Sequence, residues 1–188
     1  AENFPVQSVA EYTVEAGRPD TVTKEKLEAI KRMGASRISI NPQTMNDEVL
    51  KNIGRKHTAA QTEAAFRLAR DCGFKNINTD LIAGLPGDTP ASFENTLSRV
   101  LALCPESVTV HSLSMKRSST LNTSGLFPEA QMGAAAAEMV EYAEKTLETA
   151  GIYPYYMYRQ SKTVGNLENV GYAKPGTECL YNVYTMDE

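Results

Sequence analysis

The strongest constraint in this chain is an alternation: short runs rich in β-branched residues, each followed by a segment with helical periodicity. The strand candidates are Glu11 to Ala16, Ser36 to Asn41, Asn76 to Ala83 and Ser107 to Leu113. The helices between them have readable starts. Thr23 can cap a helix with the apolar stripe Leu27, Ile30 and Met33, and Gly34 lies just past its end. Asn46 can cap a short turn through Val49 and Leu50. Thr58 and Gln61 form a capping-box pair ahead of a helix that buries Ala65, Leu68 and Ala69 or Phe66. Thr89 stands before Pro90, which suits the first helical position, and Phe93, Leu97, Val100 and Leu101 then follow the helical period. Strand, helix, strand at this spacing requires right-handed crossovers and a parallel sheet.

Side chains alternate across a strand, so parity assigns faces. Thr13 and Glu15 share one face of the first strand. Arg37, Ser39 and Asn41 oppose Ile38 and Ile40 in the second. Asn78 and Asp80 oppose Ile77, Thr79 and Leu81 in the third, and Thr109 and His111 oppose Val108 and Val110 in the fourth. Parallel strands buried on both faces read as nearly continuous apolar runs. These strands do not, and Glu15, Asn41, Asp80 and His111 fall near their carboxyl ends. A closed eightfold barrel fills its interior with bulky branched residues, so a polar interior implies a wider lumen with a polar ligand at the carboxyl ends of the strands. The alternative is a solvent-exposed antiparallel sheet, which the alternating helices disfavour.

A complete barrel takes about 250 residues, roughly 30 per unit. The chain has 188 residues, and four units fit within residues 11–127. The expected fold is therefore α/β: a partial (β/α) TIM-like barrel of about four βα units with parallel strands over residues 1–150, and a C-terminal α+β extension over 151–188. After Pro128 an Ala-rich helix carries the stripe Met132, Ala136, Met139, Ala143 and Leu147 and ends at Gly151, the best boundary. Ile152 to Arg159 is aromatic and strand-like, whereas Gly165 to Glu188 reads as loop-rich.

Composition removes several classes of function. With 41% hydrophobic residues and a net charge of -4, the chain is expected to be globular. No run approaches the roughly 20 apolar residues of a membrane span and no leader opens the sequence, so a cytoplasmic protein with no membrane partner is expected. The acidic balance and lack of a basic run argue against nucleic acid. Cys72, Cys104 and Cys179 are too dispersed for a disulfide framework or a clustered metal motif, and no metal ligand is assigned.

Four segments carry a more specific signal. They are Thr13-Val14-Glu15-Ala16; Ser39-Ile40-Asn41-Pro42-Gln43-Thr44 with Gly54-Arg55-Lys56-His57-Thr58; Asn78-Thr79-Asp80-Leu81-Ile82-Ala83-Gly84-Leu85-Pro86-Gly87-Asp88-Thr89; and Gly171-Tyr172-Ala173-Lys174-Pro175-Gly176-Thr177-Glu178-Cys179 with Asn182. In type, order and spacing they resemble the oxygen-independent coproporphyrinogen III oxidase branch of the radical S-adenosylmethionine (SAM) enzymes. The stretch from Asn78 to Thr89 is the most specific. Asn41-Pro42-Gln43-Thr44 departs from the Gly-Val-Gln-Ser-like run of many relatives, and Pro42 stiffens that loop.

The resemblance implies a splayed (β/α)6 barrel in which a [4Fe-4S] cluster on a CxxxCxxC loop cleaves SAM, and the 5'-deoxyadenosyl radical starts oxidative decarboxylation of propionate side chains. The chain would begin at the family's third strand, with the cluster loop upstream, so on its own it is expected to hold no cluster and to be inactive. The implied SAM contacts are Glu15, Gln43, Arg55, Asp80, Ile82 and Ser112. Asp80 would meet the ribose hydroxyls, Gln43 would hydrogen-bond the ligand, and Arg55 would pair with the SAM carboxylate, a task suited to a bidentate guanidinium. Ile82 and Ser112 would bring apolar surface and backbone against the adenine.

Lys116 and Arg117, just past the fourth strand, could pair with tetrapyrrole propionates or form a solvated charged loop. The tyrosines from Tyr153 to Tyr158 could line a planar substrate or pack as an edge strand. His111 reads as a satisfied interior histidine. The implied partners are SAM, a tetrapyrrole and an external electron donor, with self-association possible through the strand edge at Glu11 to Ala16. Two rival functions remain: a haem chaperone on the same barrel, and a stand-alone small-molecule binding domain.

Overall fold

The structure, a computed structural model, describes residues 8–114 and 129–186. Its centre is a six-stranded sheet: β1 (Thr13–Gly17), β2 (Arg37–Ile40), β3 (Asn76–Ala83), β4 (Ser107–Ser112), β5 (Tyr153–Tyr158) and β6 (Asn169–Ala173). The order is β1-β2-β3-β4-β6-β5. The first four strands pair in parallel, as the alternation requires. β6 pairs antiparallel with both β4 and β5. β5 thus runs in the same direction as β1–β4, and β6 hairpins back into the gap between β4 and β5.

Among the described residues six α-helices accompany the sheet: α1 (Lys24–Arg32), α2 (Asp47–Asn52), α3 (Ala59–Asp71), α4 (Pro90–Ala102), α5 (Glu129–Thr149) and α6 (Leu180–Met186). The four expected caps are all present. Thr23 accepts from the Lys26 N–H, Asn46 from those of Glu48 and Val49, and Thr89 from that of Ser92 ahead of Pro90. Thr58 and Gln61 close a reciprocal capping box with bonds of 2.8 and 3.2 Å.

The helices cover the apolar side of the strands. One cluster joins Ile38, Ile40 and Ile77 to Leu27, Phe66 and Phe74; a second joins Leu81, Val108 and Val110 to Phe93, Leu97 and Met139. Burying each such side chain is worth about 1.5–3 kcal/mol, so these two clusters hold the strands in register. The Gly84-Leu85-Pro86-Gly87 turn after β3 takes positive φ at both glycines, 82° and 81°. At Gly84 a Cβ would stand 3.0 Å from that of Ala136, so the missing side chain also lets α5 approach the turn.

Several local expectations need correction. Met33 is exposed at the end of α1 instead of completing its stripe. The strand edges also contract: β1 begins at Thr13 and β2 ends at Ile40, before Pro42. The stretch from Gly165 on, expected to be loop-rich, contains β6 and α6. Gly151 falls between α5 and β5, and β5 and β6 pair into the same sheet as the first four strands. Lys116 and Arg117 lie outside the described residues.

Candidate functional site

Opposite the helices, the concave face of the sheet lines a cavity of about 720 Å³ bounded by β1–β4 and the start of α6. Glu15, Arg37, Asn78, Asp80 and Thr109 all face it, as parity requires. All but Thr109 belong to one hydrogen-bonded network with a uniform direction. Arg37 donates from Nη2 to Ser107 Oγ (3.0 Å), and the Ser107 hydroxyl donates to Asn78 Oδ1 (3.0 Å). The Asn78 amide donates to Ser39 Oγ (3.0 Å) and to Asp80 Oδ1 (2.8 Å). Ser39 then donates to Asn41 Oδ1 (2.8 Å), and the Asn41 amide to Glu15 Oε2 (3.0 Å). A guanidinium begins the chain and two carboxylates end it.

The electrostatics follow from this crowding. Glu15 is open to solvent through the cavity mouth, yet its carboxyl is pushed above its ordinary value, first by burial against the walls and then by repulsion from Asp80. Arg37 and the bonds from Asn41 and Ser39 oppose that rise. His111 Nε2 stands 3.8 Å from Asp80 Oδ2, and Tyr158 Oη lies 3.5 Å from His111 Nδ1. Tyr155, Tyr156 and Tyr158 complete this flank: Tyr155 and Tyr156 meet edge to face at 4.8 Å, and Tyr156 and Tyr158 stack with centroids 6.1 Å apart. Burial raises the pKa of all three phenols, so they are protonated donors at neutral pH.

The loop after β2 adds a second group. Pro42 ends the strand, and the chain re-pairs with β3 at Gln43, whose N–H donates to the Asp80 carbonyl (3.1 Å) while its own carbonyl accepts from Ile82 N–H (2.9 Å). Gln43 takes φ 71°, a region that non-glycine residues seldom occupy. It is buried and directly adjoins Asp80 and Ile82. His57, 2% exposed, faces the Pro42 carbonyl at 3.0 Å through Nε2. A carbonyl only accepts, so Nε2 carries the proton and donates. Burial depresses the pKa of His57 and keeps it neutral.

Of the expected ligand contacts, Glu15 and Asp80 face the cavity together, and Ile82 is half-buried on the same side of β3. Gln43 touches Asp80 and Ile82 through its backbone. Arg55 is half-buried two residues before His57. Ser112 is buried; its hydroxyl donates to the Glu168 carbonyl (2.9 Å) and its N–H to Asn169 Oδ1 (2.8 Å). Its parity is that of Val108 and Val110, not of Thr109 and His111. The sequence reading left out Arg37, Asn78 and Ser107 as site residues, although the parity that selected Asp80 also placed Arg37 and Asn78 on its side.

The sequence profile of the Radical SAM superfamily matches residues 9–100, the span from before β1 into α4. Residues 9–100 belong to the Radical SAM superfamily. Over 187 residues the chain is 46% identical to the oxygen-independent coproporphyrinogen-III oxidase-like protein HemZ of Bacillus subtilis, covering 99% of this chain and 37% of that protein. It is 34% identical over 185 residues to the heme chaperone HemW of the same organism, covering 95% of this chain and 44% of that one. The solved structure of coproporphyrinogen III oxidase (HemN) from Escherichia coli, a radical SAM enzyme, superposes with a TM-score of 0.70 at 25% identity, over 90% of this chain and 36% of that chain. The chain thus spans less than half the length of each of these relatives.

Among the described residues no three His, Cys, Asp or Glu side chains come together to hold a metal. Cys72 follows α3, Cys104 follows α4 and Cys179 precedes α6, all as free thiols. They do not come together to hold a cluster. No helix among the described residues is long and apolar enough to cross a membrane.

Proposed function

We propose that this chain forms the SAM-binding wall of a radical SAM enzyme that carries out oxygen-independent oxidative decarboxylation of coproporphyrinogen III propionates. The observation that carries the reading is the pair of carboxylates, Glu15 and Asp80, each given one hydrogen bond by the network and each facing the cavity with acceptor capacity to spare. SAM presents a ribose diol, a sulfonium and a zwitterionic amino acid, so its site needs acceptors for hydroxyls and a cation for the carboxylate. Asp80 fits the diol, Glu15 adds a second acceptor, Gln43 supplies an amide beside them, Ile82 offers apolar surface to the adenine, and Arg55 offers a guanidinium. Ser112 would contribute backbone, since its side chain is engaged elsewhere.

Bound SAM, with an electron from an external donor, would supply the hydrogen-abstracting chemistry directed at a propionate. The residues of this chain hold and orient: the near-parallel rings of Tyr156 and Tyr158, with Tyr155 edge-on to Tyr156, form a flank suited to a tetrapyrrole edge. Similarity to HemZ and to HemN supports the oxidase; similarity to HemW supports a heme chaperone as the second reading. The two separate in one experiment on the anaerobically reconstituted parent protein. The oxidase releases CO2 from coproporphyrinogen III only when SAM is present, and substituting Asp80→Ala weakens SAM binding by about tenfold or more, the loss of charge-assisted bonds to hydroxyls. Heme binding without turnover would overturn the oxidase in favour of the chaperone.

A further inference from the structure

Arg37 is a charged side chain inside the sheet, at the first position of β2, and it is 4% exposed. Its guanidinium has five N–H donors and is always ionised. Among the described residues it makes one hydrogen bond, to the neutral Ser107 hydroxyl, and no ion pair, while Nε is buried without an acceptor. Burying a charge costs several kcal/mol unless an opposite charge and further hydrogen bonds offset it. The acidic neighbours do not fill that role. Glu11 accepts from Thr13, the Cys179 thiol and the Leu180 N–H. Glu15 accepts from Asn41, and its pKa is raised, the opposite of what a close ion pair would do. Tyr155 and Cys179, which also feel Arg37, have raised pKa values and stay neutral.

Arg37 lines the same cavity as Glu15 and Asp80 but nearer the amino ends of the strands: it pairs with Thr13 and Asn76, whereas Ser39, one same-face step on, pairs with Glu15 and Asn78, and Asp80 lies a further step beyond Asn78. The network runs from donor to acceptor away from it: Ser107 accepts one bond from Arg37 and donates onward to Asn78 Oδ1, so neither residue turns to offer Arg37 a further acceptor. We propose that Arg37 is an anion-binding residue of the lumen, and that it takes a carboxylate of the bound substrate. Only the identity of the carboxylate, a tetrapyrrole propionate, rests on the function proposed above; the anion site itself rests on the buried, underpaired guanidinium.

The test uses the full-length parent protein with Arg37→Met and Arg37→Lys, each checked for an unchanged thermal midpoint and circular dichroism. Two probes are titrated: coproporphyrin III against its tetramethyl ester, followed by absorbance, and glutarate, followed by the 15Nε–1H resonance of Arg37. Coproporphyrin is expected to bind the wild type about tenfold or more tighter than it binds Arg37→Met. Arg37→Lys should fall between them, because it keeps the charge and loses the fork. The ester should bind all three proteins alike, and glutarate should shift the Arg37 resonance. Glutarate binding with no binding of either tetrapyrrole would keep the anion site and remove the substrate reading. Equal binding of acid and ester by the wild type, with Arg37 unmoved by glutarate, would overturn the inference and leave the substrate reading standing. If both variants misfold, the glutarate shift in the wild-type protein decides alone.

Discussion

Replacing Gly171 by alanine tests the placement of the tyrosine wall. Gly171 lies in β6, paired with Thr109 of β4 on one side and Tyr156 of β5 on the other. The Tyr156 ring lies flat across it. A Cβ on Gly171 would stand 2.8 Å from Tyr156 Cζ, with Cδ1 and Cε1 closer still. Carbon atoms pack at about 3.5–4.0 Å, so the ring has to leave. Leaving forfeits the edge contact with Tyr155 and the stack on Tyr158, each worth about 0.5–1.5 kcal/mol. Against this, alanine lowers the entropy of the unfolded chain by about 0.5–1 kcal/mol relative to glycine. The net destabilisation is centred on about 1 kcal/mol and reaches about 2.5 kcal/mol at most. The sequence contains no tryptophan and nine tyrosines, so urea unfolding followed by tyrosine fluorescence and circular dichroism is sensitive to the ring itself. In a double-mutant cycle, Gly171→Ala in a Tyr156→Ala background should be neutral or slightly stabilising, because the clash is gone. The coupling should therefore reach about 1 kcal/mol or more. Equal losses in both backgrounds would refute the argument that Gly171 exists to seat Tyr156.

Two further substitutions probe the floor and the loop. The raised pKa of Glu15 means the folded state holds its proton more tightly than the unfolded state does, so the contribution of Glu15 to stability falls as pH rises above its ordinary value of 4.5. Glu15→Gln, which can still accept from Asn41, should raise the urea midpoint at pH 7 and leave it unchanged below pH 4; a pH-independent difference would contradict this. His57→Ala frees the Pro42 carbonyl and should cost about 1–3 kcal/mol, with weaker SAM binding by the parent protein. His57→Gln, which restores an amide donor, should recover part of both, and unaltered SAM affinity in the alanine variant would show that the bond does not position Gln43.

Much of this was legible in the sequence because the signals are local. β3 runs from Asn76 to Ala83, the span its alternation marks, and each cap sits where a hydroxyl or amide precedes a helical period. The polar lumen was legible for the same reason: parity is a property of one strand and needs no partner. What escaped depends on partners. Asn169 to Ala173 contains a glycine and only two strand-forming side chains, Val170 and Tyr172, so its own propensity is weak. It becomes a strand because β4 and β5 leave a gap with unpaired backbone on both sides. Parity puts Arg37 on the ligand side, but its lack of an ion partner is a statement about Glu11 and Glu15, both remote in sequence, and has no local signal. His57 stood inside a recognised motif, yet its bond to Pro42 closes a loop that only the tertiary path brings together.

The direction of the network also restricts what the lumen can accept. Ser107, Asn78, Ser39 and Asn41 each receive from the Arg37 side and give toward the carboxylates. Reversing any one of them would present the Arg37 donors, or an ionised Glu15, with a group of the wrong sense, so the pattern is held at both ends. The end nearer the carboxyl termini of the strands therefore offers acceptors, and its demand for donors is strong, because Glu15 and Asp80 repel each other. The end at Arg37 offers donors, and its acidic neighbour there, Glu11, is taken up by Thr13, Cys179 and Leu180. A ligand that satisfies the whole lumen must bring hydroxyls or positive charge to one end and a carboxylate to the other, separated by at least the register step between Arg37 and Glu15. One molecule can do both only if it is bipolar and long. Two molecules, one rich in donors beside Asp80 and one bearing a carboxylate beside Arg37, meet the same requirement and would be held with their facing ends in contact, the arrangement that a reaction between a cofactor and an anionic substrate needs.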